Sequence, residues 1–256
     1  MRREWKSALF LAAMLLFVAV AAAGADEKTK AKEGNNDEGE EADAAPVFGE
    51  FVTCGSVFRL ENVGSGRRLH SHDVKYGSGS AQQSVTGFAE AHDSNSLWAV
   101  HTFVGAEGGR GCVQGAYLRD GAAVKLTHLN TGRNLHSHAQ HASPLSGNQE
   151  VSAYGEAGVG DAGDRWLLRL EPLDDAALRR RAEADGTARY WRRGQRVRLQ
   201  HADTGLYLAV APKSVYGNPI PGQVEVNCLR KAPSKAARDL TVWRSAEGYF
   251  FPPRKD

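Results

Sequence analysis

This chain is short of the residues and runs that many function classes require. Its 256 residues include three cysteines, two methionines and nine prolines, and aromatic residues make up only 8%. Three cysteines allow one disulfide and one leftover thiol, which excludes a densely cross-linked scaffold. Net charge is only +2, too small for the strong basic field of a nucleic-acid binder. After residue 23 no apolar run approaches the roughly 20 residues a membrane helix needs. There is no Gly-x-x-x-x-Gly-Lys phosphate loop, Gly-x-Ser-x-Gly elbow, His-Glu-x-x-His pair or Asn-x-Ser/Thr glycan acceptor. The usual motifs of nucleotide hydrolysis, acyl transfer and zinc proteolysis are therefore missing. Carboxylates are plentiful but show no repeated pairing, which leaves glycosidase chemistry without support.

What is present begins with two unlike terminal segments. Arg2, Arg3 and Lys6 precede an apolar run from Ala8 to Ala23 and small residues through Ala25, the order of a cleavable secretory signal over residues 1–25. A short signal anchor is the competing reading. Residues 26–45 hold eight acidic residues against three lysines, too little apolar surface to offset ordering entropy, so disorder is expected there. The first 25 residues carry +2 and residues 26–45 carry −5, which leaves the remaining 46–256 at +5. That remainder is mildly basic.

Within it, one phrase occurs twice: Arg68-Leu69-His70-Ser71-His72 and Asn134-Leu135-His136-Ser137-His138, each placed nine residues after a leucine, Leu60 and Leu126. A worn third copy, Tyr207-Leu208-Ala209-Val210, stands in the same register to Leu199. Alignment on these leucines brings Gly55, Gly121 and Gly194 into one position, and Phe58, Val124 and Val197 into another. The alternation of apolar and polar residues there is that of a half-buried strand. Gly66, Gly132 and Gly205 then mark hairpin turns that need positive φ. Trp98, Trp166 and Trp243 close the units as core plugs. Three all-β units, each too small for a core of its own, predict one β-trefoil over residues 46–256, with repeats near 52–108, 116–171 and 190–247. A β-sandwich would not require the threefold spacing. Between the second and third units, Asp174 to Ala184 reads as a short helix, and the arginines at 179–181 and 189–193 read as a solvated connector.

A trefoil unit brings its ends together at the open side of the barrel, so Cys54 and Cys112 are expected to pair, leaving Cys228 free and buried. The paired histidines His70/His72 and His136/His138 share a strand face. They form the floor of a cap, a ligand pocket or a metal site. The metal reading wants a third ligand, and none repeats beside both pairs. Ser71 and Ser137 lack a repeating aspartate to orient a histidine base. Tyr76 and Tyr154, with Tyr216 in the third unit, could stack on a sugar or simply pack. The candidate binding set is thus Arg68, His70, His72, Tyr76, His136, His138 and Tyr154, with no cofactor.

Longer phrases carry a resemblance. Val52-Thr53-Cys54-Gly55-Ser56-Val57, Arg68 through Ser80, Gln82 through Gly87, Leu126 through His138 and Ser143 through Ala153 resemble the stromal-cell-derived factor 2 family, from about residue 52 to Phe251. The resemblance implies three MIR repeats, a module shared with protein O-mannosyltransferases and with inositol trisphosphate and ryanodine receptors. It implies a lumenal protein of the endoplasmic reticulum with no catalytic domain. Such a protein acts in quality control of non-native clients with a J-domain co-chaperone and a heat-shock ATPase, by binding and not turnover. A lectin-like trefoil that binds O-mannosyl or other glycans is the alternative. The chain departs from the family at its end, Pro252-Pro253-Arg254-Lys255-Asp256, which lacks a retrieval tetrapeptide; retention then falls to a partner, or the protein is secreted. The third unit is the most divergent.

Overall fold

Alternation along the opening strand of each unit decides which side chains turn inward. In Val57–Asn62 every second residue is buried, and Arg196–His201 repeats that pattern. The computed structural model describes residues 49–104, 109–156, 159–229 and 238–254; the leader and the acidic segment lie outside the described residues. Unit one comprises β1 (Val57–Asn62), β2 (Arg68–Lys75), β3 (Gln83–Phe88), β4 (Leu97–Val104) and a short β5 (Gly109–Arg110). Unit two comprises β6 (Ala123–His128), β7 (Asn134–Ala142), β8 (Gln149–Tyr154) and β9 (Trp166–Leu170). Helix α1 (Ala176–Ala184) precedes unit three, which is β10 (Arg196–His201), β11 (Tyr207–Val215), β12 (Val224–Leu229) and β13 (Trp243–Tyr249).

The first and last main strands of each unit close a barrel. β1 pairs β4, β4 pairs β6, β6 pairs β9, β9 pairs β10, β10 pairs β13 and β13 returns to β1, all antiparallel. Closure leaves no free sheet edge in this ring. The hairpins β2–β3, β7–β8 and β11–β12 form the cap, and β3, β8 and β12 pair with one another at its centre. This is a β-trefoil, as the repeat predicts. The turn glycines behave alike: Gly66, Gly132 and Gly205 all have φ near +70°, and each N–H donates to the residue four back, Asn62, His128 and His201.

Each closing tryptophan is fully buried and anchors its own unit. Trp98, Trp166 and Trp243 donate their indole N–H to Leu69, Leu135 and Leu208, each at 2.9 Å. At the far end of the barrel Val52, Leu118 and Trp191 plug the core from equivalent positions. Trp191 and Arg192 are therefore not the solvated connector expected of the second basic run. Arg192 is buried, lies over the Phe51 ring and pairs with Glu50, because residues 190–192 serve the third unit as the strand-like entry that residues 51–53 serve the first. Helix α1 forms where expected, capped by the Asp175 carboxylate on the N–H groups of Ala177 and Leu178. Its arginines remain at the surface.

Cys54 and Cys112 are disulfide-bonded, and Cys228 is free and buried. Burial pushes the Cys228 thiol up to about 12, so it is a protonated packing group at neutral pH.

Candidate functional site

The duplicated phrases lie on β2 and β7, the outer strands of two cap hairpins. Backbone pairing sets His70 opposite Thr86 and His136 opposite Ser152; the equivalent third-unit position is Ala209, opposite Asn227. The intervening serines are structural. Ser71 Oγ donates to the Ser84 carbonyl at 2.7 Å and accepts from Gln83 Nε2 at 2.7 Å. Ser137 repeats this with Glu150 at 2.6 Å and Gln149 at 2.7 Å. Neither hydroxyl is available as a nucleophile.

The histidines have partners that a fixed repeat frame misses. In unit one, His70 Nδ1 lies 2.7 Å from Asp93 Oδ2, and His70 Nε2 lies 2.7 Å from His72 Nδ1. Burial pushes the Asp93 carboxyl up, but hydrogen bonds from Ser96 and His70 outweigh it and hold it below its usual value. Asp93 is then a carboxylate, which can only accept, so His70 Nδ1 carries the proton. Desolvation lowers the His70 pKa despite Asp93, and lowers that of His72 with help from the adjacent His70 ring. Both rings are neutral near pH 7. His70 Nε2 must accept, His72 Nδ1 must donate, and the His72 Nε2 lone pair is the last acceptor of the row. The row Asp93–His70–His72 therefore ends in a polarised hydrogen-bond acceptor.

Unit two builds a related but more acidic array. His136 Nδ1 lies 2.9 Å from Asp164 Oδ1 and 3.5 Å from Asp161 Oδ1. Asp164 is fully buried and also accepts from Asn134 Nδ2 at 2.8 Å. Asp161 caps the three-residue turn Ala162–Asp164 through the Gly163 N–H. A Cβ on Gly163 would lie 2.3 Å from His136 Cε1, so only glycine lets this turn approach the ring. The spacing predicts no aspartate recurring at a position to orient the histidines, yet one does recur: Asp93 at His70 and Asp161 at His136, each five residues before its closing tryptophan. Asp93 and Asp161 hold matching cap positions, while Asp164, two before Trp166, stands where unit one has Ser96.

Around this array opens a cleft of about 610 Å3 between units two and three, lined by His136, His138, Tyr154, Asp161, His201 and Asp203 among others. Tyr154 is partly exposed, with its ring 4.9 Å from His136. Phe88 holds the equivalent place beside His70 at 4.9 Å and has no hydroxyl. The second unit therefore offers the richer binding surface.

Two other expected members lie elsewhere. Tyr76 is buried in the cap, its hydroxyl bonded to the carbonyls of Val85 and Val151 at 2.9 Å each; burial raises its pKa well above normal. A buried ring of this kind cannot stack on a surface sugar. Arg68 is tied to Glu247 at 2.9 Å and Glu61 at 3.5 Å, at the edge of a separate charged cleft. Tyr216 packs against Tyr76, ring centroids 6.4 Å apart.

His128 and His201 were missed because neither lies in the duplicated phrase. Each stands two residues after the framing leucine, where unit one has Asn62. His128 Nε2 donates to the Asn95 carbonyl at 2.9 Å and His201 Nε2 to that of Gly163 at 3.2 Å, while Asn62 Nδ2 donates to that of Leu240 at 2.9 Å. These three acceptors each precede a closing tryptophan by three residues, so every unit is fastened to the one before it. Burial lowers the His128 pKa to about 4. The folded state therefore binds this proton less readily than the unfolded chain, whose histidine titrates near 6.5. The associated stability is complete above pH 6.5 and is lost as pH falls toward 4. His128→Asn, which copies unit one, keeps the bond without titrating. It is expected to remove roughly 3 kcal/mol of the stability loss between pH 7 and pH 4, measured by urea unfolding at the two pH values; an unchanged pH slope would contradict the assignment.

Residues 75–235 match the MIR domain family. Stromal cell-derived factor 2-like protein 1 of Mus musculus is 45% identical over 213 residues, covering 83% of this chain and 84% of the mouse protein. The chain belongs to the stromal cell-derived factor 2 family. The relative in Dictyostelium discoideum is 43% identical over 203 residues, 78% of this chain and 84% of that protein. Among solved structures, the crystal structure of the SDF2-like protein from Arabidopsis thaliana matches with a TM-score of 0.66 and 40% identity, over 80% of this chain and 99% of the other. A chain of the S. cerevisiae protein O-mannosyltransferase Pmt1-Pmt2 complex matches with a TM-score of 0.65 and 27% identity, over 82% of this chain but 27% of that one. The stromal cell-derived factor 2 family thus shares its MIR fold with part of a mannosyltransferase, while the names of these full-length relatives denote no enzyme. Among the described residues no helix is long and apolar enough to cross a membrane.

Proposed function

We propose that this member of the stromal cell-derived factor 2 family is a non-catalytic binding protein of the endoplasmic reticulum lumen. In this reading it serves protein quality control with a J-domain co-chaperone and a heat-shock ATPase, and holds non-native clients at the unit-two cleft. The observation that carries the binding part is the state of the polar groups around the histidines. Ser71 and Ser137 are held by backbone carbonyls and glutamines, whereas the cleft beside Ser137 is open and offers an aromatic face, imidazoles and a carboxylate. Such a surface suits recognition of mixed apolar and polar ligands. The partners and the compartment rest on the long phrases shared with the family. Affinity capture from a lumenal extract is expected to recover a J-domain protein together with a heat-shock ATPase, and an eluate containing neither would overturn the partnership.

A second reading, recognition of O-mannosyl or other glycans in the same cleft, is favoured by Tyr154. Its exposed ring beside His138 and Asp161 supplies a stacking face with hydrogen-bonding groups at its edge, the combination that suits a sugar. Under this reading a glycan array shows binding that Tyr154→Ala removes. Binding that survives the substitution would exclude the cleft as the sugar site.

A further inference from the structure

The two histidine arrays differ in one respect that packing does not explain. Unit one places one carboxylate, Asp93, and one hydroxyl, Ser96, around His70, and a single ring proton satisfies the arrangement. Unit two places two carboxylates, Asp161 and Asp164, against the single nitrogen His136 Nδ1. One N–H cannot serve both, and Asp164 has no exposure to water. The ion pairs of both carboxylates run to His136, and among the described residues no arginine pairs with either. Two anions beside one ring, one of them fully desolvated, call for a positive charge at their centre.

We propose that His136, Asp161 and Asp164 form a site for a single divalent transition cation, with zinc as the best match, on the floor of the unit-two cleft. One ligand atom from each residue lies within 4.8 Å of the other two. The 2.9 and 3.5 Å separations from Nδ1 to the two oxygens bracket the roughly 3.4 Å expected between ligands of a tetrahedral ion with bonds of about 2.0–2.2 Å. One imidazole and two carboxylates are a donor set zinc accepts, and the cleft leaves a fourth position for water or a ligand oxygen.

The surrounding groups fit the same assignment. Asn134 Nδ2 holds the second oxygen of Asp164, the outer-shell support that orients a ligating carboxylate. His138 Nδ1 is buried without a hydrogen-bond partner, although its unit-one counterpart, His72 Nδ1, is bonded at 2.7 Å. A cation on His136 Nδ1 moves the ring proton to Nε2, and the neighbouring His138 ring, its centroid 5.2 Å away, is within reach of a small adjustment to accept it. The other cluster of metal-binding residue types, Cys54, His101 and Cys112, contains the disulfide and has no thiolate to offer.

The test uses the whole mature chain, stripped with chelator and titrated with zinc chloride in a calorimeter. One equivalent is expected to bind, and cobalt chloride in its place is expected to give visible d–d absorption. Asp161→Asn, at a half-exposed cap, should weaken zinc by more than about 100-fold, while Asp93→Asn in unit one leaves it unchanged. Nitrogen-15 spectra of the unsubstituted protein supply a readout free of folding effects: zinc should shift the His136 ring resonances and spare those of His70. Absence of stoichiometric zinc, or zinc binding indifferent to Asp161→Asn, would overturn the proposal.

Discussion

Alanine in place of Trp98, Trp166 or Trp243 is expected to lower the unfolding free energy by about 3–5 kcal/mol each, the range for large aromatic truncations in a packed core. Each ring is fully buried, and each is the donor to a leucine carbonyl at the head of a cap hairpin. Truncation leaves a cavity in the barrel and a buried carbonyl without its partner, two penalties that add. The losses should be similar in the three units, because the geometry repeats although the surrounding sequences do not. Urea unfolding of the three variants measures this, and a loss below about 1 kcal/mol at any one of them would contradict a shared core role. Against a total stability of about 5–15 kcal/mol for a domain, two such substitutions together should prevent folding.

Loss of the disulfide ranks next. Replacing Cys54 and Cys112 together by serine opens a loop with a sequence separation of 58 residues. The chain-entropy relation gives about 4 kcal/mol for a loop of that size. The bridge ties the start of unit one to the segment entering unit two, the side of the barrel where Cys54 N–H also donates to the Ala116 carbonyl at 2.8 Å. Reduction of the unsubstituted protein should therefore lower its melting temperature to that of the double variant. Equal melting temperatures for oxidised protein and double variant would remove the bridge from the account of stability. Cys228→Ser is the control, since its thiol is unpaired.

The threefold frame was legible because it depends on features with fixed spacing. Framing leucines, turn glycines and closing tryptophans each recur at constant offsets, and the barrel accepts little deviation at those points. The cap is different, since the partners of its hydrogen bonds change from unit to unit. Asp93 and Asp161 keep one offset from the closing tryptophan, yet the nearer partner of His136 is Asp164, at the place where unit one has Ser96. Glu150 and Glu225 show it again: they occupy matching places on β8 and β12, yet Glu150 holds the loop at Ser80 while Glu225 accepts from the N–H groups of Leu145 and Ser146. Both are buried carboxylates fastening the preceding unit's loop, and their loop partners differ in residue type and in number. Tyr76 was misplaced for a related reason. It follows the end of β2, and its nearness to the histidine phrase cannot tell whether its ring meets water or the cap's centre. The histidine pairs were legible as side chains on one face, and the difference in charge between their two arrays was not.

In the unit-two cleft an exposed tyrosine joins a histidine pair, with two aspartates against His136. The central claim is that this cleft binds ligand without turnover. Fluorescence anisotropy with a labelled, permanently non-native reporter polypeptide tests it directly, comparing the unsubstituted protein with the Tyr154→Ala/His138→Ala double variant. The account predicts saturable binding to the former, at least 10-fold weaker binding to the latter with an unchanged unfolding midpoint, and intact reporter after incubation. Equal affinity of the two proteins for the reporter, or reporter chemically altered by the unsubstituted protein, would contradict it.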